Sequence, residues 1–481
     1  MDLSKIKSII QKKEFKNSAW NMADIMLLPF LMLLFTPFFI NKIGADQYGI
    51  WMFVNSIIAS IGVVNMGLGD ATIKFVSKYK SVNDLPNLGR IVNALIALSL
   101  LLLLVFIILG NGFALLIKIF NLFNLNKDNL TITIYTVQLG SVVFGLKQVE
   151  QVFLSVFKGL EKYDTSARVS IFSKSLLILS QFIVAYFGYF LTEIFIVSAV
   201  ITFLVVCGEL LYLRYKIRDI TFVPSLKKSS IKEIFRFSSW TWIQSILSVI
   251  ATHIDRLFVI TFAGPTFLAY YALASNVGSQ VHSVLTASAG WVFPKVSAKT
   301  ERKEDTNHLY YKMQLLLLLL SISIFAVLLL FESVIFKTWL GQESYNNSIL
   351  LIKIFLYLAF FNSLSIIPYY FMLGSNLIKQ STIFMMMSLL FTVGFMIIGF
   401  KVWGTNGLAY GKLISSLITI PVILIFLHNK IINRLYFKTG FEIYLPAVLF
   451  AASVLLLNYY SVLLVIINIA LIIFLIKKLF K

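Results

Sequence analysis

The stretch "WTWIQSILSVIATHIDRLFVITFAG", residues 240–264, decides the fold class of this chain. A membrane-spanning helix needs roughly 20 mostly apolar residues, and this stretch is long enough to be one. It nevertheless contains His253, Asp255 and Arg256. A charged side chain at the centre of a bilayer costs on the order of 3 kcal/mol on insertion scales. The stretch therefore predicts a membrane helix whose charged residues have a structural or functional role.

The composition of the whole chain is typical of a multi-pass membrane protein. Of its 481 residues, 59% are hydrophobic and 13% are charged, and the mean hydropathy is +0.88. A soluble globular protein carries about 25% charged residues. The single cysteine, Cys207, excludes a disulfide framework. Because the sequence has no Walker A, H-E-x-x-H or G-x-S-x-G pattern, we predict no catalysis, no cofactor and no bound metal.

Fourteen segments are long and apolar enough to be predicted as membrane-spanning helices. They are residues 17–40, 48–68, 91–116, 131–156, 168–188, 191–213, 235–262, 266–293, 312–331, 348–373, 378–400, 405–427, 442–458 and 461–476.

The distribution of Lys and Arg predicts the orientation of these spans. With both termini in the cytoplasm, the inner segments hold thirty-one of the 41 Lys and Arg, and the outer connections hold five. Cytoplasmic loops of membrane proteins carry such an excess of Lys and Arg. The net charge of +20 therefore indicates topology and an attraction to anionic membrane lipids, rather than nucleic-acid binding.

An internal repeat is indicated by matches at an offset of 220 residues. "KNSAW" (16–20) and "RFSSW" (236–240) both open a span, and the same offset relates Gly44 to Gly264. Each copy supplies six spans with the same orientation. We therefore predict an all-α polytopic membrane protein with two six-helix lobes related by a pseudo-two-fold axis, followed by two extra C-terminal helices. The predicted boundaries are 1–215, 216–430 and 431–481. Such transporters place the substrate site between the lobes and work by alternating access.

The charged residues of the quoted stretch are the first candidates for a site, since charges within a membrane usually face a cavity. Arg256 shares a helical face with His253, whereas Asp255 points about 100° away. We expect Arg256 to contact an anionic substrate. The alternative is an ion pair between Asp255 and Arg256 that holds helices together. His253 could titrate with a proton gradient or be a hydrogen-bonded packing residue.

The predicted first lobe contributes further charged residues. Lys147 and Glu150 are three apart on one helical face, so they either pair with each other or line a cavity. Lys174 either lines a cavity or extends to the membrane surface. Asp24, in the inner half of the first span, is a partner for a cation, a site for a coupling proton, or a helix-end residue.

The predicted second lobe contributes Lys412 and His282. Lys412 lies about 10 Å from the outer end of its span by helix rise, where it either faces a cavity or extends outward. His282 shares a polar face with Gln280 and Asn276, which suits contact with sugars or hydrogen bonds between helices.

Several short motifs, in order along the chain, resemble the Wzx-type O-antigen and polysaccharide flippases of the multidrug/oligosaccharidyl-lipid/polysaccharide exporter superfamily. They are "G…YG.W" (Gly44, Tyr48, Gly49, Trp51), "GLG" (67–69), "FKGLEKYD" (157–164), "IDRLFVITFAG" (254–264) and "YYALASNV" (270–277).

The resemblance implies translocation of an undecaprenyl-pyrophosphate-linked oligosaccharide from the inner to the outer leaflet of a bacterial plasma membrane. It also implies a polar central cavity, coupling to an ion, and a polysaccharide polymerase and chain-length regulator as partners. For that function, the substrate-binding candidates are Arg256, Lys147, Lys174, Lys412 and His282. The candidates for ion coupling or counter-charge are Asp255, Asp24, Glu150 and His253.

Two other functions stay open. Lipid II flippases of the superfamily carry an arginine cluster in their first two spans, and this chain has no Arg there, which argues against lipid II as the substrate. A multidrug/cation antiporter should have mainly carboxylates in its cavity. Here five basic and about four acidic residues lie within spans, which mildly favours an anionic substrate. A membrane-embedded glycan polymerase or ligase is least favoured, because the largest outer connection, near 332–347, is short.

Overall fold

The computed structural model describes residues 20, 24, 27, 29–61, 68–121, 123, 125–216, 224–225, 228–375 and 377–430. Within these residues the regular secondary structure is helical throughout. The helices are α1 (Pro29–Ile43), α2 (Ala45–Ile61), α3 (Leu68–Ser81), α4 (Leu85–Phe120), α5 (Lys127–Gly159), α6 (Tyr163–Tyr186), α7 (Leu191–Lys216), α8 (Lys228–Ala289), α9 (Val292–Glu301), α10 (Asn307–Leu330), α11 (Glu332–Leu340), α12 (Gln342–Ser363), α13 (Ile366–Gly374) and α14 (Ile378–Lys430).

The predicted all-α membrane class is confirmed. In the part of the chain that the structure describes, eight helical segments are long and apolar enough to cross a membrane: Leu85–Phe120, Lys127–Gly159, Tyr163–Tyr186, Leu191–Tyr215, Val249–Ala289, Asn307–Leu330, Gln342–Gly374 and Lys379–Phe426. The predicted spans 442–458 and 461–476 lie outside the described residues. The total of fourteen spans and the cytoplasmic position of both termini therefore remain predictions.

Two of these long helices are broken at the joints that the sequence predicts. The backbone of α8 leaves helical geometry at Gly264 (φ 80°, ψ 176°), and that of α14 leaves it at Gly404 (φ 62°, ψ −145°). Glycine is the one residue type that adopts such angles readily. Pro265 follows Gly264 and starts the second arm of α8, where its missing N–H costs no helical hydrogen bond. The arms correspond to the predicted spans on each side of residues 264 and 404.

The offset of 220 residues also relates local packing in the two halves of the chain. Gly44 has a φ of 85°, close to that of Gly264. A Cβ added to Gly159 would lie 2.7 Å from the Val76 side chain, and one added to Gly374 would lie 2.7 Å from the Val296 side chain. Val76 and Val296 belong to α3 and α9, two short helices that the span prediction does not separate. Each short helix thus presses a valine against a glycine at the end of a long helix.

The longest contact in the first half joins α4 and α5. Gly110 of α4 faces Ser141 of α5, and Gly145 of α5 faces Leu103 of α4, so small residues let the two backbones approach closely. The side chain of Asp84 caps α4 by accepting hydrogen bonds from the backbone and side-chain nitrogens of Asn87, at 3.1 and 2.6 Å. The same two hydrogen bonds lower the pKa of the exposed Asp84 carboxyl.

The apolar residues of α4 divide into a buried face and an exposed face. Ile91, Leu95 and Phe106 are buried against α3 and α5, whereas Leu104 and Ile108 are more than 60% exposed. Exposure of large aliphatic side chains at helical spacing suits contact with lipid rather than water.

The chain divides into two compact units, one ending at Ala269 and the other beginning at Tyr270. In the first unit α5 packs against α3, α4, α6 and α7. In the second unit α9 packs against α13, and α12 packs against α14. The predicted lobe boundaries after residues 215 and 430 remain predictions.

We expect Gly264→Ala to destabilise the protein by about 1–3 kcal/mol, because alanine is strained at a φ of 80° although nothing lies within 4 Å of the added methyl group. Gly394→Ala is the matched control. Gly394 lies within α14 without a positive φ and also has open space around it, so alanine should be neutral or slightly stabilising there. Thermal unfolding midpoints in detergent measure both effects, and equal midpoints for the two variants would contradict the predicted strain.

Candidate functional site

A polar cavity of about 320 Å³ lies within the first unit. Helices α3, α5 and α6, together with Asp24, supply its lining. The lining residues are Asp24, Gly69, Asp70, Ile73, Lys147, Glu150, Gln151, Leu154, Ser155, Lys158, Ser170, Lys174 and Leu177. Three lysines and three carboxylates thus share a small space inside an apolar helical bundle.

One face of α5 provides much of this lining. Its residues at 147, 150, 151, 154, 155 and 158 are three or four apart in turn, which places them on one side of a helix. Helix α3 approaches this face at Gly69, where an added Cβ would lie 2.8 Å from the amide nitrogen of Gln151. A larger residue at position 69 would therefore push α3 away from the cavity wall.

Lys174 and Asp24 form the first of two ion pairs in the cavity. The Lys174 Nζ donates hydrogen bonds to Asp24 Oδ1 at 2.6 Å and to the Asp24 carbonyl oxygen at 2.7 Å. The Asp24 side chain is buried, and that of Lys174 is 21% exposed. Of the alternatives that the sequence leaves open, the structure places Lys174 in the cavity wall and Asp24 as its partner.

Lys147 and Glu150 form the second ion pair, with Nζ and Oε2 at 2.6 Å. Ser173 of α6 connects the two, because its hydroxyl donates to Glu150 Oε1 at 2.8 Å and accepts from Lys147 Nζ at 3.1 Å. Both sequence interpretations therefore apply, since the two residues pair with each other and also line the cavity. Glu150 is 3% exposed, so its charge depends on these partners.

Glu209 of α7 is a buried acid that the sequence analysis does not select as a site residue. It is 4% exposed, and among the described residues neither of its carboxyl oxygens has a hydrogen-bond partner. The charges that act on it come from Glu150 and Lys147. Its position within the apolar segment "ITFLVVCGELLYL" (201–213) is the sequence signal that marks it, since an acid inside a span is rarely without a role.

The charged residues of the opening stretch lie elsewhere on the first unit. Asp255 is buried, and its Oδ1 accepts a hydrogen bond from the backbone nitrogen of Arg256 at 2.9 Å. The charge of Arg256 acts on Tyr48 of α2, whose hydroxyl lies 3.0 Å from the Thr36 hydroxyl. Within the described residues, His253, Asp255 and Arg256 are not part of the cavity lining. Their predicted roles in substrate binding and coupling remain predictions.

The candidates of the second unit are likewise placed among local partners. The Lys412 Nζ lies 5.6 Å from the centre of the Phe355 ring, a cation–π contact. The His282 ring lies 3.4 Å from the Thr286 hydroxyl and interacts with the backbone of Asn362. Neither residue is paired with a carboxylate by any ion pair that the structure describes in this unit, and their contact with substrate remains a prediction.

The chemistry of the first-unit cavity is that of exchangeable anion binding. Each of two lysines is held by a carboxylate, so an incoming phosphate could replace the carboxylate as hydrogen-bond acceptor without leaving a buried charge unpaired. Lys158 adds a third cation to the lining.

Comparison with known proteins identifies the family. The sequence profile described as "Polysaccharide biosynthesis protein" matches residues 15–298, which is more than half of the chain. The chain belongs to this family. A Shigella flexneri relative described as "Putative O-antigen transporter" is 23% identical over 360 residues, which cover 74% of this chain and 83% of that protein. The predicted resemblance to O-antigen and polysaccharide flippases is thereby confirmed.

Solved structures agree on the fold of this family member. The lipid II flippase MurJ, in an inward closed conformation, matches with a TM-score of 0.71 and 16% identity over 97% of this chain and 100% of that one. An inward-facing multidrug resistance transporter of the MATE family matches with a TM-score of 0.66 and 16% identity over 84% and 94% of the two chains. At this identity the likeness shows the fold alone, which is that of the predicted superfamily.

We expect Lys174→Met to cost about 3 kcal/mol of stability, because it leaves the buried carboxylate of Asp24 without its cation. The double variant Asp24→Asn/Lys174→Met should lose less than the sum of the two single changes. Chemical or thermal unfolding in detergent measures this double-mutant cycle. Additive losses would show that the two side chains do not pair in the folded protein.

Proposed function

We propose that this protein is a flippase that moves an undecaprenyl-pyrophosphate-linked oligosaccharide repeat unit from the cytoplasmic to the outer leaflet of the bacterial inner membrane. The observation that carries the proposal is the polar cavity of the first unit, with Lys147 and Lys174 each held by a buried carboxylate, in a member of the polysaccharide biosynthesis protein family. The proposed function is transport without catalysis or a cofactor.

The two lysines would bind the pyrophosphate by exchanging partners. In the structure Lys174 donates to two oxygens of Asp24, and Lys147 donates to Glu150 and Ser173. Phosphate oxygens are acceptors of the same kind, and charge-assisted hydrogen bonds to them are comparably strong. The cavity therefore needs no new cation when the anion enters. The sugars would extend toward the remaining polar lining, such as Gln151 and Ser170.

Partner exchange would also link transport to a proton. When a phosphate takes Lys147, the buried Glu150 loses its cation, and uptake of a proton is the least costly way to neutralise it. Glu209 lies close enough for its charge to interact with Glu150, so the two acids could share that proton. Release of the substrate would return Lys147 to Glu150 and expel the proton.

Alternating access would carry the bound head group across the membrane. In this scheme Arg256, Lys412 and His282 contribute to the substrate path, and Asp255 and His253 supply counter-charge or coupling. Membrane lipids surround the transporter, while a polysaccharide polymerase and a chain-length regulator act on its product.

Export of a cationic compound in exchange for an ion is the alternative function. The observation that favours it is the presence of three carboxylates, Asp24, Asp70 and Glu150, in the same cavity. A cation would displace a lysine from its carboxylate, just as a phosphate would displace a carboxylate from its lysine. The two functions therefore predict opposite effects for removal of the lysines.

We expect Lys147→Gln/Lys174→Gln to reduce translocation at least about ten-fold, which corresponds to the loss of about 1.4 kcal/mol of binding. The measurement is surface-glycan production in cells that lack their own flippase, at matched expression. Lys353→Gln is the control, since it removes an ion-paired lysine of the second unit, 2.9 Å from Glu332, without touching the cavity.

Normal glycan production by the double lysine variant would overturn the proposed use of the cavity. If instead the variant exported cationic dyes better than the wild type while glycan production stayed absent in both, the antiporter function would be supported.

We expect Glu209→Gln to abolish the response of transport to a pH gradient, because glutamine fills the same space and cannot exchange a proton. Transport of a pyrophosphate-linked glycan into vesicles, with and without an imposed gradient, measures this. Glu332→Gln is the control, because it removes a carboxylate of the second unit that pairs with a lysine. A gradient response equal to that of the wild type would exclude Glu209 from coupling.

A further inference from the structure

A second cavity, of about 480 Å³, lies in the second unit between α9 and α10. Its lining residues are Trp291, Lys295, Lys299, Asp305, His308, Leu309, Lys312, Met313 and Leu316. The positions in this set are basic, aromatic or aliphatic except for Asp305, and nothing in the proposed transport mechanism uses them.

The lining residues form two ladders. Trp291, Lys295 and Lys299 are four apart in sequence at the start of α9 and along it. The corresponding ladder on α10 consists of residues 308, 312 and 316. Residues four apart lie on one face of a helix, so each helix turns one face toward the cavity.

The character of the cavity changes along these ladders. The residues nearest the connection 302–306 are Lys299 and His308, and the next are Lys295 and Lys312. The residues farthest from the connection are Trp291 and Leu316, about 12 Å along the helices by their rise per residue. One end of the cavity is therefore cationic and the other end apolar.

Two of its cations are available to a ligand. Lys299 already pairs with Glu304, at 2.9 Å, and this pairing lowers the pKa of the Glu304 carboxyl. Asp305 accepts a hydrogen bond from the backbone nitrogen of Asn307 at 3.0 Å. Among the described residues, Lys295 and Lys312 have no ion-pair partner. The Lys295 Nζ lies 5.4 Å from the centre of the Trp291 ring, at the junction of the cationic and apolar ends.

The apolar end is built to meet hydrocarbon. Leu309 and Met313 are buried and form the floor, whereas Trp291 is 51% exposed and Leu316 is 40% exposed. Tryptophan is enriched where the hydrocarbon of a membrane meets the head groups. A soluble phosphate would fill the cationic end and leave this apolar wall in contact with water.

We propose that this cavity binds an anionic phospholipid, with its head-group phosphate between Lys295 and Lys312 and an acyl chain along Trp291 and Leu316. The charge and the apolar gradient together match that ligand. The connection between α9 and α10 lies on the side that the Lys and Arg distribution predicts to be cytoplasmic, where a bilayer presents such head groups. The bound lipid would hold α9, and through Val296 the end of α13, at the membrane surface. This inference is independent of the transported substrate.

The test is native mass spectrometry of the full chain in detergent, titrated with phosphatidylglycerol and with phosphatidylcholine of the same acyl chains. We expect at least one phosphatidylglycerol to bind about ten-fold more tightly than phosphatidylcholine, and Lys295→Gln/Lys312→Gln to remove this preference. Lys295→Arg/Lys312→Arg should restore it. Lys162→Gln/Lys379→Gln is the matched control, because it removes two exposed lysines on the same predicted side.

Quenching of tryptophan fluorescence by bromine-labelled acyl chains locates the lipid. Brominated phosphatidylglycerol should quench a component that Trp291→Phe removes, and brominated phosphatidylcholine should quench that component far less. Equal affinities for the two lipids, or equal loss in the glutamine variant and its control, would overturn the proposal. Absence of a Trp291 component would do the same, and would indicate that another part of the chain fills the cavity.

A related titration with undecaprenyl pyrophosphate separates this site from the transport site. Its binding should depend on Lys147 and Lys174 and be unchanged by Lys295→Gln/Lys312→Gln. If it depended on Lys295 and Lys312 instead, the cavity would belong to the substrate path and the phospholipid assignment would be wrong.

Discussion

The pairing of buried lysines with carboxylates is the interaction on which the first unit depends. An ammonium group inside an apolar bundle is stable only with an anionic partner and enough hydrogen bonds. Asp24 and Lys174 meet that requirement across 150 positions of sequence, and Lys147, Glu150 and Ser173 meet it between α5 and α6. These contacts set which faces of the helices turn toward each other. They also leave room for a cavity rather than a closed apolar core.

The same pairs make the cavity responsive to charge. A pocket with only lysines would be costly when empty, and a pocket with only carboxylates would reject a pyrophosphate. Pairing solves both problems, since a ligand of either sign can enter by exchanging partners. The buried Glu209, next to Glu150 and Lys147, makes the balance sensitive to one further proton. The chemistry of the site thus follows from how the charges compensate each other rather than from any single residue.

The two units show similar local construction with different charges. Gly44 and Gly264 share an unusual backbone angle, and Val76 and Val296 each press against a glycine. The segment "MLLFTPFFI" (32–40) is nevertheless uncharged, whereas its counterpart at an offset of 220, "THIDRLFVI" (252–260), carries three titratable residues. The repeat therefore preserves backbone and packing requirements, while side chains that contact ligands and lipids differ between its copies.

The sequence by itself determined the membrane class, the helical fold, the family, the helix breaks at Gly264 and Gly404, and the pairing of Lys147 with Glu150. All of these depend on local properties: hydropathy over about 20 residues, the backbone freedom of glycine, and the spacing of residues on one helix turn. Only the tertiary structure decided that Asp24 meets Lys174, that Glu209 approaches Glu150, and that α9 and α10 enclose a cationic cavity. Those contacts depend on how each helix is rotated about its axis against its neighbours. In a chain with apolar residues around most of each helix, hydrophobic periodicity alone does not specify that rotation.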